Sequence, residues 1–316
     1  MASWNYLLYR LVSAFTVLFG ASVITFGLIF VTPGDPAETI LTERADRTPS
    51  PESIEAFREA NGLNDPIPVQ YVDWVVGISN GDLGTSYYSS RSVTTLLVEN
   101  APQTVELAIA SLVVALCIAI PAGVLSAVHR GERIDIVSQL TALVGVSMPN
   151  FWLGYLLIIV FSLHLDLFPV AGSGSLSHLV LPAVTLGTGM AAVVMRLVRT
   201  AVLAELGAQY VTAARARGLR ERIVLYKHVL RNALIPVLTV VGVQFGYILN
   251  GALVVEIVFQ RPGLGLLLVE SIFARNIPVV QGVILLTAVI FVVTNLLVDF
   301  SYYRLDPRIR PRGKNA

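Results

Sequence analysis

Long apolar runs alternate with short polar clusters along this chain on a scale that suits a bilayer. Six stretches contain no Asp, Glu, Lys or Arg: residues 11–31, 107–128, 136–163, 179–195, 233–255 and 277–298. A spanning helix needs about 20 mostly apolar residues, so the pattern predicts six. The first run sits where a signal peptide would, but it is longer than a typical apolar signal core. Nor is Thr32-Pro33-Gly34-Asp35-Pro36 a small-residue cleavage site, so the run reads as a retained span. Pro121, Pro149, Pro182 and Pro236 fall within or at the edge of the runs, where each predicts a kink or a break by removing a backbone donor.

The polar segment from Thr32 to about Gln103 is longer than a connector requires and carries its own helix signals. Ser50 is placed as an N-cap and Pro51 at the first helical position, with Ile54, Phe57 and Ala60 following at helical spacing and Gly62 ending the turn. After Pro66 and Pro68, residues 69–78 predict a second helix with Val72, Val75 and Val76 as its buried stripe. The segment reads as a small subdomain or cap.

Composition agrees with a membrane protein. Charged residues make up 14% of the chain and hydrophobic residues 55%, against about 25% charge in a soluble domain. The single cysteine, Cys117, lies in an apolar run and leaves no internal disulfide. An even number of spans puts both termini on one side. Lys and Arg in the flanks on that side number sixteen, against six on the other, so both termini are expected in the cytoplasm and the 32–103 loop outside it.

On the fifth span, Gly242, Gly246 and Asn250 recur every fourth residue and form a narrow face for close helix packing. Gln244, Tyr247, Asn250 and Glu256 on the same helix are candidates for a water-filled path, because an unpaired amide in hydrocarbon costs several kcal/mol. Interhelical hydrogen bonding alone would also account for Gln244, and solvation at the outer boundary for Glu256.

The charge pattern has one anomaly. Arg215, Arg217, Arg220, Arg222, Lys227 and Arg231 crowd into YVTAARARGLRERIVLYKHVLRN, Tyr210 to Asn232. Tyr210, Ala214 and Gly218 share a helix face, Ala213 and Arg217 form the adjoining row, and Gly218 suits the position after a helix end. A second amphipathic pattern through Ile223, Val224 and Val229 runs into the fifth span, so the segment predicts helix, glycine turn, helix. Anionic lipid would attract the charge at about 1 kcal/mol per basic residue, but it requires neither the alanines nor the glycine. Nucleic acid is excluded by the lack of any aromatic interleaving or recognised module. Docking to a cytoplasmic protein explains both features.

At these residues the chain resembles the permease subunits of ABC importers, in the dipeptide/oligopeptide/nickel permease family. Residues 212–219, TAARARGL, are similar to the family's coupling signature, and residues 228–236, HVLRNALIP, to its downstream Leu/Pro region. Further blocks follow in family order: TPGDP at 32–36, GDLGTS at 81–86, SMPNFW at 147–152, FPVAG at 168–172, PGLG at 262–265, LVD at 297–299 and LDPRIR at 305–310. Thr212 stands where the general signature has Glu. Asn276 after Arg275 replaces an Asp and so alters an external charge, and Asn250 before Gly251 replaces a glycine.

The resemblance implies an all-α type I permease fold with an N-terminal tail and first helix (1–31), an extracytoplasmic loop subdomain (32–103), a five-helix core (104–303) and a cytoplasmic tail (304–316). Its coupling segment would be 205–232. Tyr210, Ala213, Ala214, Arg215, Arg217, Gly218, Leu219, His228, Arg231 and Asn232 would dock to the ATPases. Implied partners are a second homologous permease subunit, two cytoplasmic ABC ATPase subunits, an extracytoplasmic solute-binding protein and the lipid of the plasma membrane. Peptides are the first choice of solute, with nickel chelates or sugars as alternatives. No cofactor is expected on this chain, and ATP and Mg would be used by the ATPase subunits. The residues agree: no G-x-x-x-x-G-K-[ST] loop is present, and neither H-E-x-x-H nor G-x-S-x-G supports an intramembrane hydrolase. An ion-coupled secondary transporter would be expected to carry acidic residues in mid-membrane, which no span interior here has.

Overall fold

The computed structural model describes residues 4–31, 36–45 and 48–305. Most of the TPGDP block and the tail beyond Leu305 lie outside the described residues. The elements are α1 (Trp4–Val31), α2 (Pro36–Ala45), α3 (Pro51–Ala60), α4 (Ile67–Ser79), α5 (Val93–Val128), α6 (Arg133–Ser147), α7 (Asn150–Leu157), a π-helical end on α7 (Ile158–His164), α8 (Ser177–Leu206), α9 (Gln209–Ala216), α10 (Glu221–Ile223), a π-helical segment (Val224–Val229), α11 (Leu230–Val258), α12 (Leu264–Phe273) and α13 (Ile277–Leu305). Among the described residues the isolated bridge Thr85–Ser92 is the sole β pairing.

Four helices are long and apolar enough to cross a membrane, within α5, α8, α11 and α13, and α6 with α7 and its π-helical end, bent by 106° at the break, is a fifth if the pair is counted as one span. With the 28-residue α1, whose described apolar stretch is Val12–Gly27, these account for the six runs. The third run, 136–163, is two helices, so at Pro149 the expected kink or break is a break. Met148 adopts an extended conformation (φ −85°, ψ 127°), as the ring of a following proline demands, and α7 restarts after Pro149. The other helices outrun their apolar cores. α5 begins at Val93 although its charge-free run begins at 107, and α8 continues to Leu206 past Arg196 and Arg199, because helical hydrogen bonding does not stop where the side chains turn polar.

The chain divides into two compact units: residues 1–103 with 262–292, and residues 104–261 with 293–316. In the first, Ser50 caps α3 with its side chain accepting from the Ser53 amide, and Gly62 takes φ +64° beyond the helix end. α4 forms where expected, but Val72 and Val76 are exposed. Its inward residues are Tyr71 and Trp74, which meet Phe26 of α1 at ring distances of 5.3 and 5.8 Å, while Ser22 hydrogen-bonds the Tyr71 hydroxyl at 2.9 Å. Aromatic rings cover more area than valines and lock α4 against α1. α12, which no sequence signal marked, joins Val93, Leu97, Val279 and Val283 in a core through Leu264. Asn276 is buried: it is 7% exposed, accepts from the Tyr87 amide and donates to Ser86 Oγ at 2.8 Å. It thereby pins the GDLGTS loop.

In the second unit α8 is central. In its apolar window 61% is buried, against 39% or less in the other three long helices. α5 and α8 touch at two glycines: a Cβ on Gly123 would lie 2.7 Å from the Met195 carbonyl, and one on Gly187 would lie 2.7 Å from the Ser111 carbonyl. Lipid gives apolar helices no reason to associate, so backbone approach of this kind supplies the contact.

Candidate functional site

The basic segment folds as helix, turn, helix. α9 ends in a Schellman cap: the Gly218 amide donates to the Arg215 carbonyl at 2.9 Å and the Leu219 amide to the Ala214 carbonyl at 3.4 Å, with Gly218 at φ +76°. Arg215 closes the turn by donating from two nitrogens to Glu221 at 2.5 and 3.1 Å, and holds that carboxyl below its usual range. The Tyr210 hydroxyl donates to the Glu205 carboxylate and accepts from Asn232 Nδ2 at 3.2 Å, tying the end of α8 to the start of α11. Burial and then the Glu205 contact raise the Tyr210 phenol above its ordinary value.

These contacts sort the residues expected to dock. Tyr210, Arg215 and Asn232 brace the hairpin from within. Ala214, 8% exposed, faces inward with Val211, Val224 and Val229, so its small side chain serves the chain's own packing. Ala213, Arg217, Gly218, Leu219 and Arg231 lie on the exposed surface, and His228 is half-buried. Arg217, Arg220, Arg222, Lys227 and Arg231 are exposed and form no ion pair among the described residues. The surface the hairpin offers is cationic with small residues between the charges.

α11 runs without a break in helical structure from this hairpin to a cavity of about 180 Å³ between α7, α8 and α11, lined by Asn150, Met190, Gln244, Tyr247 and neighbouring residues. Gln244 and Tyr247 are where the sequence placed the path. Asn250 is exposed but not in the lining, and Glu256 is fully buried rather than solvated. The reason is local: α11 continues to Val258 and the chain folds back, with the Arg261 amide donating to the Glu256 carbonyl and the Gly172 amide to the Phe259 carbonyl, both at 2.9 Å. Arg261 is buried with it and pairs with Glu106. The close-approach glycine of α11 is Gly251, whose Cβ would lie 2.6 Å from Leu186 Cδ1 and 3.4 Å from Asn150 Nδ2.

Asn150 and the Asp135 cluster went unassigned in the sequence. Asn150 enters the cavity because the Pro149 break places it first on α7. Asp135, 2% exposed, accepts from Arg199 at 2.7 and 2.8 Å, Ser126 at 2.6 Å, the Gly131 amide at 2.9 Å and Gln139 at 2.8 Å. It clamps α6 to α8 and to the end of α5. The visible signal was one acidic residue opening an otherwise apolar run, with an arginine ending another.

Comparison with known proteins agrees with this architecture. Residues 119–311 match the family model "Binding-protein-dependent transport system inner membrane component", and residues 3–108 match "Binding-prot-dependent transport system membrane comp, N-term". The chain is 41% identical over 306 residues to the glutathione transport system permease protein GsiC of Escherichia coli, covering 97% of this chain and 99% of the relative. It is 38% identical over 333 residues to the dipeptide transport system permease protein DppB of Alkalihalophilus pseudofirmus, covering 96% and 99%. Among solved structures, an inward-facing MetNI methionine ABC transporter aligns with a TM-score of 0.57 at 19% identity, over 67% of this chain and 96% of that one. An amino acid ABC transporter solved with histidines aligns at 0.54 and 15%, over 67% and 94%. At these identities the two structures speak to fold alone.

Proposed function

Because the chain belongs to the binding-protein-dependent transport system inner membrane components, we propose that it forms one half of the pathway by which an ATP-driven importer takes up short peptides. A second permease subunit of the same kind supplies the other half. Two ATPase subunits receive the basic hairpin on the cytoplasmic side, and an extracytoplasmic binding protein delivers the solute. The names of the relatives, a dipeptide and a glutathione permease, support a peptide cargo. The amide-bearing walls of the cavity, Asn150 and Gln244, suit a solute rich in peptide groups, since an amide side chain both donates and accepts.

One observation carries the mechanism. The exposed hairpin and the cavity wall lie at two stations of a single helical path: the π-helical segment joins α10 to α11, and α11 carries Gln244 and Tyr247. When ATP closes the ATPases, the hairpin moves with its groove and α11 transmits the displacement to the cavity. Two discrete arrangements of packed helices, facing inward and outward, then exchange. The Asp135 cluster moves with it as a rigid joint of α6 and α8.

Reconstitution tests the proposal. The chain, its partner permease, the ATPases and the binding protein are placed in proteoliposomes with a labelled dipeptide, and uptake is measured with and without ATP. ATP-dependent accumulation is expected. Uptake that persists without the ATPases would refute the mechanism.

A further inference from the structure

The path from the hairpin to the cavity is not wound uniformly. The Val224 amide donates to the Arg220 carbonyl at 3.1 Å, a step of four residues, but the Leu230 amide donates to the Leu225 carbonyl, a step of five. Residues 224–229 are the π-helical segment between α10 and α11. Among the described residues the other such segment, 158–164, runs out into a loop, whereas this one is continued by helix on both sides. A π turn takes up one residue more than an α turn. It is rare, and occurs mostly as a single-turn bulge, frequently at functional sites.

Burial shows what holds the wider turn open. Val224 and Val229 are both fully buried, while Tyr226 between them is 60% exposed, and α8 and α9 pack against the segment. At 3.6 residues per turn, side chains five apart point roughly 140° from one another, so an α-helix could bury only one of the two valines. Hydrogen bonding across five residues stacks them on one face. The residue that an α-helix would stack on Val224 is His228, four positions on, which is half-buried. The segment thus has two windings open to it, one that buries Val229 with Val224 and one that buries His228 in its place. The apolar pair makes the π winding the resting one. The base of the hairpin is held independently, because the bond from Asn232 to the Tyr210 hydroxyl at 3.2 Å ties α9 to α11 beyond the segment. A change of winding therefore moves the exposed tip, residues 217–223, against a fixed base.

We propose that residues 224–229 are a register joint, whose π turn tightens to an α turn when the ATPases close. The tip of the hairpin then follows its groove by up to one residue of winding while α11 stays helical. This rests on the reading that the hairpin docks to the ATPases of an importer, and adds to it the place where the stroke is taken up.

The test removes the extra residue. Deleting Tyr226 brings Val229 to the fourth position after Val224, where an α-helix buries both, and fixes the α winding. Tyr226→Ala loses the same exposed side chain but keeps the residue count. Each variant is purified as the full complex in lipid nanodiscs, and ATP hydrolysis is measured with and without the binding protein and alanyl-alanine. The deletion is expected to retain the ATPase subunits and lose the stimulation, and Tyr226→Ala to be stimulated like the wild type. Equal stimulation in the deletion, or equal loss in both variants, overturns the proposal. So does a deletion that fails to insert or sheds its ATPases, because the α winding is then incompatible with the fold or with docking. Hydrogen exchange in the wild-type complex needs no variant: the amides of residues 224–230 should exchange more slowly once vanadate traps the ATPases closed, and identical exchange in the two states also overturns the joint. A wild-type complex without any stimulation removes the import reading, whereas a stimulated wild type beside an equally stimulated deletion removes the joint alone.

Discussion

Gly218 holds φ +76° with nothing within 4 Å of where a Cβ would stand, so its glycine is required by backbone conformation and not by space. A β-branched side chain there costs about 1–2 kcal/mol in the left-handed region. Gly218→Val should leave the protein inserted in the membrane yet abolish peptide-stimulated ATP hydrolysis in the reconstituted complex. Gly218→Asn, which tolerates that conformation, should retain a measurable part of it. Tyr87 makes a prediction of another kind. Burial pushes its phenol up to about 12 from an ordinary 10, and it packs edge-on against Phe57 at 5.5 Å. The unfolded phenol ionises first, so the stability linked to Tyr87 is whole below pH 10 and is lost as pH rises through about 12. A spectrophotometric titration should find one tyrosine ionising near 12, absent from Tyr87→Phe.

Helix pairs in this molecule meet at backbone distance, and their sensitivity follows. A Cβ at Gly123 would stand 2.7 Å from the Met195 carbonyl, and backbone cannot yield as a side chain can. Gly123→Val should destabilise the protein by about 1–3 kcal/mol, read as a lower melting temperature in detergent, whereas the same change at Gly131, where nothing lies within 4 Å, should act through its backbone conformation alone. The Asp135–Arg199 pair joins α6 to α8. Asp135→Asn and Arg199→Met should each lower the melting temperature, and the double variant should fall short of their sum, because a lone buried partner is worse than none. At this scale Pro149 was legible as a break. α12 was not, since ten mostly apolar residues without a cap signal carry no periodic message, and neither was the extension of α5 and α8 beyond their apolar cores.

At the scale of the whole molecule, the distribution of basic residues predicts the orientation in the membrane. In a Cys117→Ala background, Glu52→Cys and Arg222→Cys, both at exposed positions, should react with a membrane-impermeant maleimide from opposite sides of the membrane, position 52 from outside the cell. Labelling of both from one side would reverse the charge-based orientation. By itself the sequence determined that the chain crosses a membrane several times and that a basic hairpin precedes α11. Hydropathy, charge and turn residues are properties of neighbouring positions, and a bilayer acts on them locally. Only the tertiary structure decided that Ala214 faces inward while Ala213 faces out, that Glu256 and Asn276 are buried, and that Asn150 joins Gln244 at one cavity. Each is a meeting of residues far apart in the chain, set by which helix faces can approach closely, and no pattern along one helix records the shape of the surface that it will meet.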